Sequence, residues 1–331
     1  MSRVQLIEVS DSEDDLRLDR WFKSHFPGMT HGQLEKYLRK GEVRVDKKRV
    51  KAKDRLEAGQ TVRVPPMPDY AFDPNASKSA PRTEKGISEH DIRDIRQMII
   101  HKDDEVIILN KPAGLPVQGG SKQTRHIDGL LDGLQYDYDE RPRLTHRLDK
   151  DTSGVLVIGR TRKAAKHLTE AFRNRTTRKI YWALVAGVPR PHQATISYNL
   201  RKIVTSVGEK VVVDREGQTA VSDYSVVSVA GTKAAWLALK PLTGRTHQLR
   251  VHCLAIETPI VGDGKYGGPE AFLEGAISKN MHLHAREITI SHPSGGILTV
   301  TAPLSQHMAA TWKLLGFHEN DYEDPFEEQG L

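Results

Sequence analysis

In the first half of residues 15–65, the hydrophobic side chains follow helical spacing. Leu18, Trp21 and Phe22 recur at helical intervals, and the Pro-Gly pair at 27–28 ends that segment. Thr30 and Gln33 then form a capping-box pattern that opens a second helix, and a glycine at position 41 stops it. The pattern predicts two short helices.

The spacing changes to strict alternation in the second half of this segment. Residues 43–45 and 61–64 alternate apolar and polar side chains, as half-buried strands do. Helices followed by strands within fifty residues predict a compact α/β module with its boundaries at 15 and 65.

The longer part of the chain, residues 89–317, is dominated by strand patterns. Apolar runs and alternating segments predict strands at 105–110, 154–159, 179–187, 220–229, 234–241 and 287–302, and helices at 162–175 and 246–256. Because the helices do not alternate regularly with the strands, the pattern favours an α+β domain with a mixed, largely antiparallel sheet.

Two segments show no periodic pattern. Residues 66–88 are rich in proline, serine and alanine, which predicts an extended linker. Residues 318–331 hold six acidic and no basic side chains, which predicts a solvated acidic tail.

Composition narrows the class of protein. The chain has 331 residues, 37% of them hydrophobic, and one cysteine, Cys253. A single cysteine excludes an internal disulfide and a cysteine-rich zinc site, which favours a reducing compartment. No apolar run reaches the length of a membrane span and no signal-peptide pattern is present, so a soluble, cytoplasmic protein is expected.

The charge is unevenly distributed. The net charge is +6, while residues 15–65 carry 14 basic and 7 acidic side chains. A positive surface of this kind suits a partner made of phosphates, although an ordinary basic surface has the same composition.

The segment His-Arg-Leu-Asp-Lys-Asp-Thr-Ser-Gly at 146–154 carries the strongest chemical signal. A carboxylate, Asp149, stands among cations where a polar loop enters an apolar strand. This composition is typical of an active site. The alternative is an Asx turn or cap in which Asp149 pairs with Arg147 or Lys150.

Three further segments complete a family pattern. They are Lys-Ile-Tyr-Trp-Ala-Leu-Val-Ala-Gly at 179–187, Gly-Arg-Thr-His-Gln-Leu-Arg-Val-His at 244–252 and Gly-Asp-Gly-Lys-Tyr-Gly at 262–267. In this order, together with residues 146–154, they resemble the RluA family of pseudouridine synthases over nearly all of 100–302. The resemblance implies an isomerase that breaks and re-forms the bond between ribose and uracil.

The resemblance also implies roles for single residues. Asp149 would attack the ribose or carbon 6 of uracil, or act in elimination at the ribose, and Arg245 would pair with it and keep it ionised. Tyr181 would stack on the uracil and help remove the proton from carbon 5. Arg147 would fill the space of the flipped base, or contact a phosphate.

The resemblance also implies roles for His146 and Leu249. His146 would orient the loop or contact the RNA backbone. Leu249 would close the pocket on the flipped ring, although a leucine on a helix face is more often part of the core.

The amino-terminal module resembles S4-type RNA-binding domains, in which two helices and a small sheet present cations to structured RNA. The phosphate contacts implied by that resemblance are Arg20, Lys36, Arg39, Lys40, Arg44, Lys47, Lys48 and Arg49. With this module, the chain is most like the branch that modifies large-subunit (23S) ribosomal RNA. Residues 188–219 hold further cations and are candidates for the choice of site.

No metal and no cofactor are expected. His247 and His252 are five residues apart, and His282 and His284 have no thiol or carboxylate pattern beside them, so structural roles are favoured. A monomer acting on RNA is the expectation. Two alternatives stay open: a nucleobase glycosylase that uses Asp149 and Asp151 as a carboxylate pair, and a ribosome-assembly factor that binds RNA without catalysis.

Overall fold

The structure is a computed structural model that describes residues 4–10, 13–66, 87–119, 125–205 and 208–326. Two compact units divide the chain, residues 1–86 and 87–331. Nearly all of the predicted linker lies outside the described residues. No helix in the described part of the chain is long and apolar enough to cross a membrane.

The first unit contains two helices and a four-stranded antiparallel sheet. The elements are β1 (Gln5–Glu8), α1 (Leu18–His25), α2 (His31–Lys40), β2 (Arg44–Val45), β3 (Lys48–Arg49) and β4 (Thr61–Val64). The strand order is β1-β4-β2-β3. The sheet therefore begins at Gln5, upstream of the boundary predicted at residue 15, because β1 pairs along β4.

Local sequence signals fix both helices of this unit. The capping box of α2 is confirmed: the Thr30 side chain accepts from the Gln33 amide, and the Gln33 side chain accepts from the Thr30 amide. Gly41 ends α2 with a φ of 71°, in the left-handed region. Trp21 and Phe22 are buried in the unit's own core.

The second unit is built on one large sheet. Its strands are β5 (Ile99–Lys102), β6 (Val106–Lys111), β7 (Arg143–Leu144), β8 (Ser153–Gly159), β9 (Arg178–Ala186), β10 (Gln193–Thr205), β11 (Gly208–Val213), β12 (Gln218–Ala230), β13 (Ala234–Pro241), β14 (Leu283–Ser291) and β15 (Ile297–Thr301). Its helices are α3 (Glu89–Gln97), α4 (Ile127–Leu130), α5 (Arg162–Asn174), α6 (Gln248–Ala255) and α7 (Gln306–Leu315).

The sheet is mixed and largely antiparallel, as the pattern predicted. Its order is β11-β10-β12-β13-β9-β14-β8-β6-β5, with β15 beside β14 and β7 beside β8. The short contact between β14 and β8 is parallel. The strand predicted at 287–302 is a hairpin, because Gly295 and Gly296 turn the chain with φ of 99° and 79°.

Alternation along β9 separates the two faces of the sheet. Ala183 and Val185 pack with α6 on one face, whereas Trp182 and Leu184 pack with α7 on the other. Tyr181 belongs to the α6 face by the same alternation. The strand period thus decides which side chains reach the site described below.

The described part of the acidic segment, residues 318–326, is not a solvated tail. The rings of Tyr322 and Phe326 pack against the core around α7, and the Tyr322 ring lies 5.2 Å from that of Trp182. Asp324 pairs with Arg178, and Glu319 pairs with Arg286 at 2.7 Å. The prediction from charge alone was wrong, since these carboxylates meet cations of the sheet.

Candidate active site

Asp149 lies in the loop between β7 and β8, and neighbouring backbone holds this loop closed. The Thr152 amide donates to the Asp149 carbonyl at 3.2 Å, and the Gly114 amide donates to the Lys150 carbonyl at 2.9 Å. The Asp149 side chain keeps 27% of its surface exposed. It faces a cavity and is available to a substrate.

Gly154 explains why β8 can start so close to this loop. Its φ is 105°, and a Cβ at this position would stand 2.2 Å from the Ala285 carbonyl oxygen of β14. Any side chain would force the two strands apart. The adjacent Ser153 hydroxyl bonds His284 Nδ1 of β14 at 2.8 Å, so two successive residues fix the start of β8 against this strand.

A buried lysine ties the loop to β6. Lys111 is fully buried, and its Nζ donates to the carbonyls of Pro112 and Leu115, both at 2.9 Å, and to that of Lys150 at 3.0 Å. Burial lowers the pKa of Lys111 to about 7, while Asp151 and Asp149 act in the opposite direction. The sequence did not predict this role, because lysine is ordinarily an exposed residue.

The cation beside Asp149 is Arg250, not Arg245. Arg250 Nη1 lies 3.6 Å from Asp149 Oδ2, and the same guanidinium donates Nε and Nη2 to the Asp263 carboxylate, both at 2.7 Å. Arg245 Nε instead donates to the Thr219 carbonyl at 3.2 Å. The predicted ion pair with Arg245 is therefore wrong, although Arg245 lines the same cavity.

The geometry of the loop before α6 accounts for this difference. Gln248 fixes the loop: its Oε1 accepts from the Thr243 hydroxyl at 2.7 Å and from the Arg245 amide at 3.0 Å. Helix α6 begins at Gln248, so Arg250 stands inside the first turn and Arg245 stands before it. Both arginines were visible in the motif at 244–252, but the helix start decides which one meets the carboxylate.

Tyr181 and Leu249 form the apolar part of the cavity. Both line it together with Asp149, and Leu249 is also part of the core under α6. Burial raises the pKa of Tyr181, and so does Asp149, so the phenol stays protonated near neutral pH. The cavity volume is about 130 Å³, below the roughly 300–1,000 Å³ of pockets for drug-sized ligands.

A second, wider groove of about 620 Å³ adjoins this cavity and shares Asp149, Arg147 and Tyr181 with it. The cationic side chains along it are Arg147, Arg173, Arg175, Lys179 and Arg245. Arg147 is exposed at its edge. An anionic strand would therefore find positive charge along the path to the carboxylate.

His146 has a structural position. Its Nε2 accepts from the Val157 amide at 2.9 Å, and its ring stacks on Phe172 with centroids 4.2 Å apart. Burial lowers its pKa to about 3, so the ring is neutral and this nitrogen can act as an acceptor. Of its two predicted roles, these contacts match orientation of the loop.

The remaining candidates for a second carboxylate or a metal ligand lie away from Asp149 or have structural contacts. Asp151 is exposed and lines a different cavity from Asp149, which argues against a glycosidase-type carboxylate pair. His282 Nε2 bonds the Thr311 hydroxyl at 2.9 Å, and His284 bonds Ser153. In the described residues, the group of histidine and aspartate close enough for a metal lies elsewhere: His90 is exposed, and Asp91 and Asp94 are half-buried.

The cations predicted in the amino-terminal unit are mostly exposed. On the surface are Arg20, Lys36, Arg39, Lys40, Lys47, Lys48 and Arg49. Arg44 differs, because its guanidinium donates to the carbonyls of Gly41 and Lys47, both at 3.1 Å, and holds the hairpin turn. Lys40 lies 3.7 Å from Glu42.

Comparison with known proteins assigns the family. The sequence model described as RNA pseudouridylate synthase matches residues 105–255. The chain is 33% identical over 322 residues to "Ribosomal large subunit pseudouridine synthase C" of Salmonella typhi, which covers 94% of this chain and 97% of that protein. This chain belongs to the pseudouridine synthase family.

Other relatives agree with this assignment. The protein of the same name from Escherichia coli (strain K12) is 34% identical over 313 residues, which is 92% of this chain and 94% of that one. The solved structure titled "Human RNA Pseudouridylate Synthase Domain Containing 4" has a TM-score of 0.58 and 27% identity, and covers 68% of this chain and 95% of that one. The synthase is thus an isomerase that acts on RNA, as the sequence motifs predicted.

Proposed function

We propose that this synthase converts specific uridines of large-subunit (23S) ribosomal RNA to pseudouridine. The observation that carries the proposal is a partly exposed carboxylate, Asp149, in a base-sized cavity with an aromatic wall and a cation-lined approach. Relatives named ribosomal large subunit pseudouridine synthase C match 92–94% of this chain, which includes most of the amino-terminal unit.

The reaction moves bonds without loss of atoms. The bond between ribose C1′ and uracil N1 breaks, the base turns within the cavity, and C1′ bonds to C5. The C5 proton then leaves, and N1 gains a proton. Asp149 provides the nucleophile or base, and Arg250 keeps its charge balanced.

The cavity residues position the base. The Tyr181 ring stacks on the uracil. Leu249 closes the opposite wall. Arg147, exposed at the rim, occupies the place that the extruded base leaves in the RNA, where unstacking costs a few kcal/mol.

The two units divide recognition and catalysis. The exposed cations of the first unit hold structured RNA by its phosphates, while the second unit reads the flipped base. The tether between them raises the effective concentration of the second contact. The synthase acts as a monomer, since one chain supplies both contacts.

The deciding experiment combines Asp149→Asn with a map of modified positions. We expect the variant to bind 23S RNA as well as the unchanged protein and to lose about 10⁴-fold or more in rate, because the reacting group is removed. Pseudouridine mapped at single-nucleotide resolution in cells with and without the protein identifies the sites.

Other outcomes would contradict the proposal. Free uracil or abasic RNA as a product would indicate a glycosylase. Full biological performance by Asp149→Asn would indicate an RNA-binding assembly factor. An unchanged map of large-subunit RNA would exclude this substrate.

A further inference from the structure

His247 occupies an unusual backbone position directly before α6. Its φ is 54° and its ψ is 20°, in the left-handed region that side chains other than glycine rarely adopt. Its ring lies between two functional groups: Nε2 is 3.8 Å from Asp149 Oδ2, and Nδ1 is 2.7 Å from the Tyr266 hydroxyl. Backbone strain is thus retained where the ring reaches the reacting carboxylate.

A backbone amide occupies the Tyr266 hydroxyl as a hydrogen-bond donor. The Val211 amide of β11 donates to it at 3.1 Å. A phenol has one proton and accepts through its oxygen, and an amide N–H can only donate. Of the groups within hydrogen-bond distance of this hydroxyl in the described residues, His247 Nδ1 is the one that can accept, so the phenol proton is assigned to it. Burial raises the pKa of Tyr266, so the hydroxyl stays protonated near neutral pH.

This proton count determines the tautomer of His247. A neutral imidazole that accepts at Nδ1 carries its proton on Nε2, the nitrogen that faces Asp149. The reverse tautomer would turn a lone pair toward a carboxylate, which is repulsive. Burial lowers the pKa of His247 and so favours the neutral ring; Asp149 and Asp263 raise it, whereas Arg250 and Lys265 lower it further.

We propose that His247 is a positioning residue for the isomerisation, and that Tyr266 holds it in the Nε2–H tautomer. Its N–H and the Arg250 guanidinium both approach Oδ2 of Asp149, which leaves Oδ1 to react with the uridine. At 3.8 Å the N–H stands beyond hydrogen-bond length, as catalytic contacts often do before substrate binds. This inference rests on the proposed function.

The proposal also connects the edge of the sheet to the site. Val211 belongs to the hairpin of β10 and β11, whose last strand is the sheet edge. The hydroxyl of Tyr266 links this hairpin, through His247, to Asp149. Displacement of the hairpin would therefore change the proton position next to the reacting group.

A spectroscopic test reads the tautomer without any activity. Uniform ¹⁵N labelling of histidine in the full-length protein gives the ring-nitrogen shifts, and the spectrum of His247→Asn identifies the resonances of residue 247. We expect an unprotonated Nδ1 and a protonated Nε2 at neutral pH. Tyr266→Phe removes the donor to Nδ1 while Asp149 still opposes the reverse tautomer, so we expect a larger share of protonated Nδ1 in this variant; an unchanged spectrum would overturn the role of Tyr266. A protonated Nδ1 in the unchanged protein would overturn the proposal.

A pair of substitutions tests the role in turnover. In His247→Gln the side-chain amide reaches the place of Nε2, whereas in His247→Asn it ends near the place of Nδ1 and cannot reach Asp149. We expect His247→Asn to lower kcat by about 10–100-fold, with KM for RNA unchanged, as loss of an orienting contact does. His247→Gln should retain more of kcat than His247→Asn.

The order of the two variants separates positioning from a purely structural role. Asparagine tolerates the left-handed backbone better than glutamine does. If residue 247 only shaped the loop, His247→Asn would be the more active variant. That order, equal kcat in both, or a change confined to KM would overturn the inference.

The controls distinguish this failure from failure of the proposed function. The unchanged protein is assayed on the same 23S RNA. If it forms no pseudouridine there, the proposed function fails, whatever the tautomer of His247. If it forms pseudouridine and His247→Asn keeps its full kcat, only the present inference fails.

Discussion

Charged side chains are arranged differently in the two units, although both units are rich in arginine and lysine. In the first unit, cations such as Lys47 and Lys48 are exposed on the hairpin of β2 and β3. In the second unit, Arg250 is 7% exposed and Asp263 is 1% exposed, and the two form a bidentate pair. Exposed cations attract an anionic partner together and over a distance that salt screens. The stability of a buried cation depends instead on the carboxylate paired with it.

On the proposed function, this contrast separates RNA binding by the first unit from chemistry in the second. A phosphate surface tolerates loss of one cation, because several share the attraction. A buried guanidinium that balances two carboxylates has no substitute, because each partner left unpaired in the interior is destabilised. We therefore expect substitutions to have large effects around Asp149 and small, salt-dependent effects in the first unit.

The largest effect is expected from breaking the pair of Arg250 and Asp263. Arg250→Met leaves a buried carboxylate without its partner, and we expect the free energy of unfolding of the second unit to fall by about 3–5 kcal/mol. Urea unfolding followed by near-ultraviolet circular dichroism measures it.

The matched control is the double variant Arg250→Met with Asp263→Leu. It removes both charges, so we expect most of the lost stability to return. Isomerisation should stay low, because Asp149 has lost its cation. A double variant less stable than Arg250→Met alone would show that this pair is not the buried charge balance described here.

An intermediate effect is expected from Lys111. Its pKa is about 7 in the folded protein against 10.5 for the free side chain. Between these values the unfolded chain holds more protons than the folded one, so stability rises with pH and is lost as pH falls toward 7. The greatest slope is about 1.4 kcal/mol per pH unit.

Lys111→Met tests this pH dependence. Comparing the unfolding free energies of the two proteins between pH 7 and pH 10 cancels groups common to both. We expect the difference to shift in favour of the unchanged protein as pH rises, on top of a constant cost for the three carbonyls that lose their donor. A difference independent of pH would contradict the lowered pKa.

The smallest effect is expected from the first unit. Lys47→Gln with Lys48→Gln should weaken RNA binding and reduce the slope of log affinity against log salt by about one per lost phosphate contact. We expect kcat at saturating RNA to stay unchanged. Lys313→Gln, an exposed cation on α7, is the control. An equal change of slope in both would mean that the hairpin cations have no special role.

Much of the fold was predictable because the local patterns agree with the tertiary structure. The helix pattern at 162–175 corresponds to α5, and the apolar run at 154–159 to β8, whose seven residues are all buried. The long hairpin of β10 and β11 was not predicted as strands. Most of its side chains are exposed or half-buried, so the apolar side of the alternation is weak.

The candidate site was predictable in part. Asp149, Tyr181 and Leu249 come from three separate motifs and line one cavity, as the resemblance suggested, and their individual roles stay predictions. His247 was considered as a metal ligand and set aside, and no signal separated it from a structural histidine. Its two contacts come from residues 98 positions before it and 19 after it in the sequence, and only folding brings them together.

The sequence by itself determined the family and the α+β architecture, and it singled out Asp149 as the candidate carboxylate, because these depend on local residue types and their order. The tertiary structure decided which cation meets that carboxylate, since the left-handed residue before α6 sets the start of the helix and places Arg250 at Asp149. It also decided that the acidic segment packs against the sheet. Charge along a chain gives the sign of an interaction, whereas the partner depends on direction and distance, which exist only after folding.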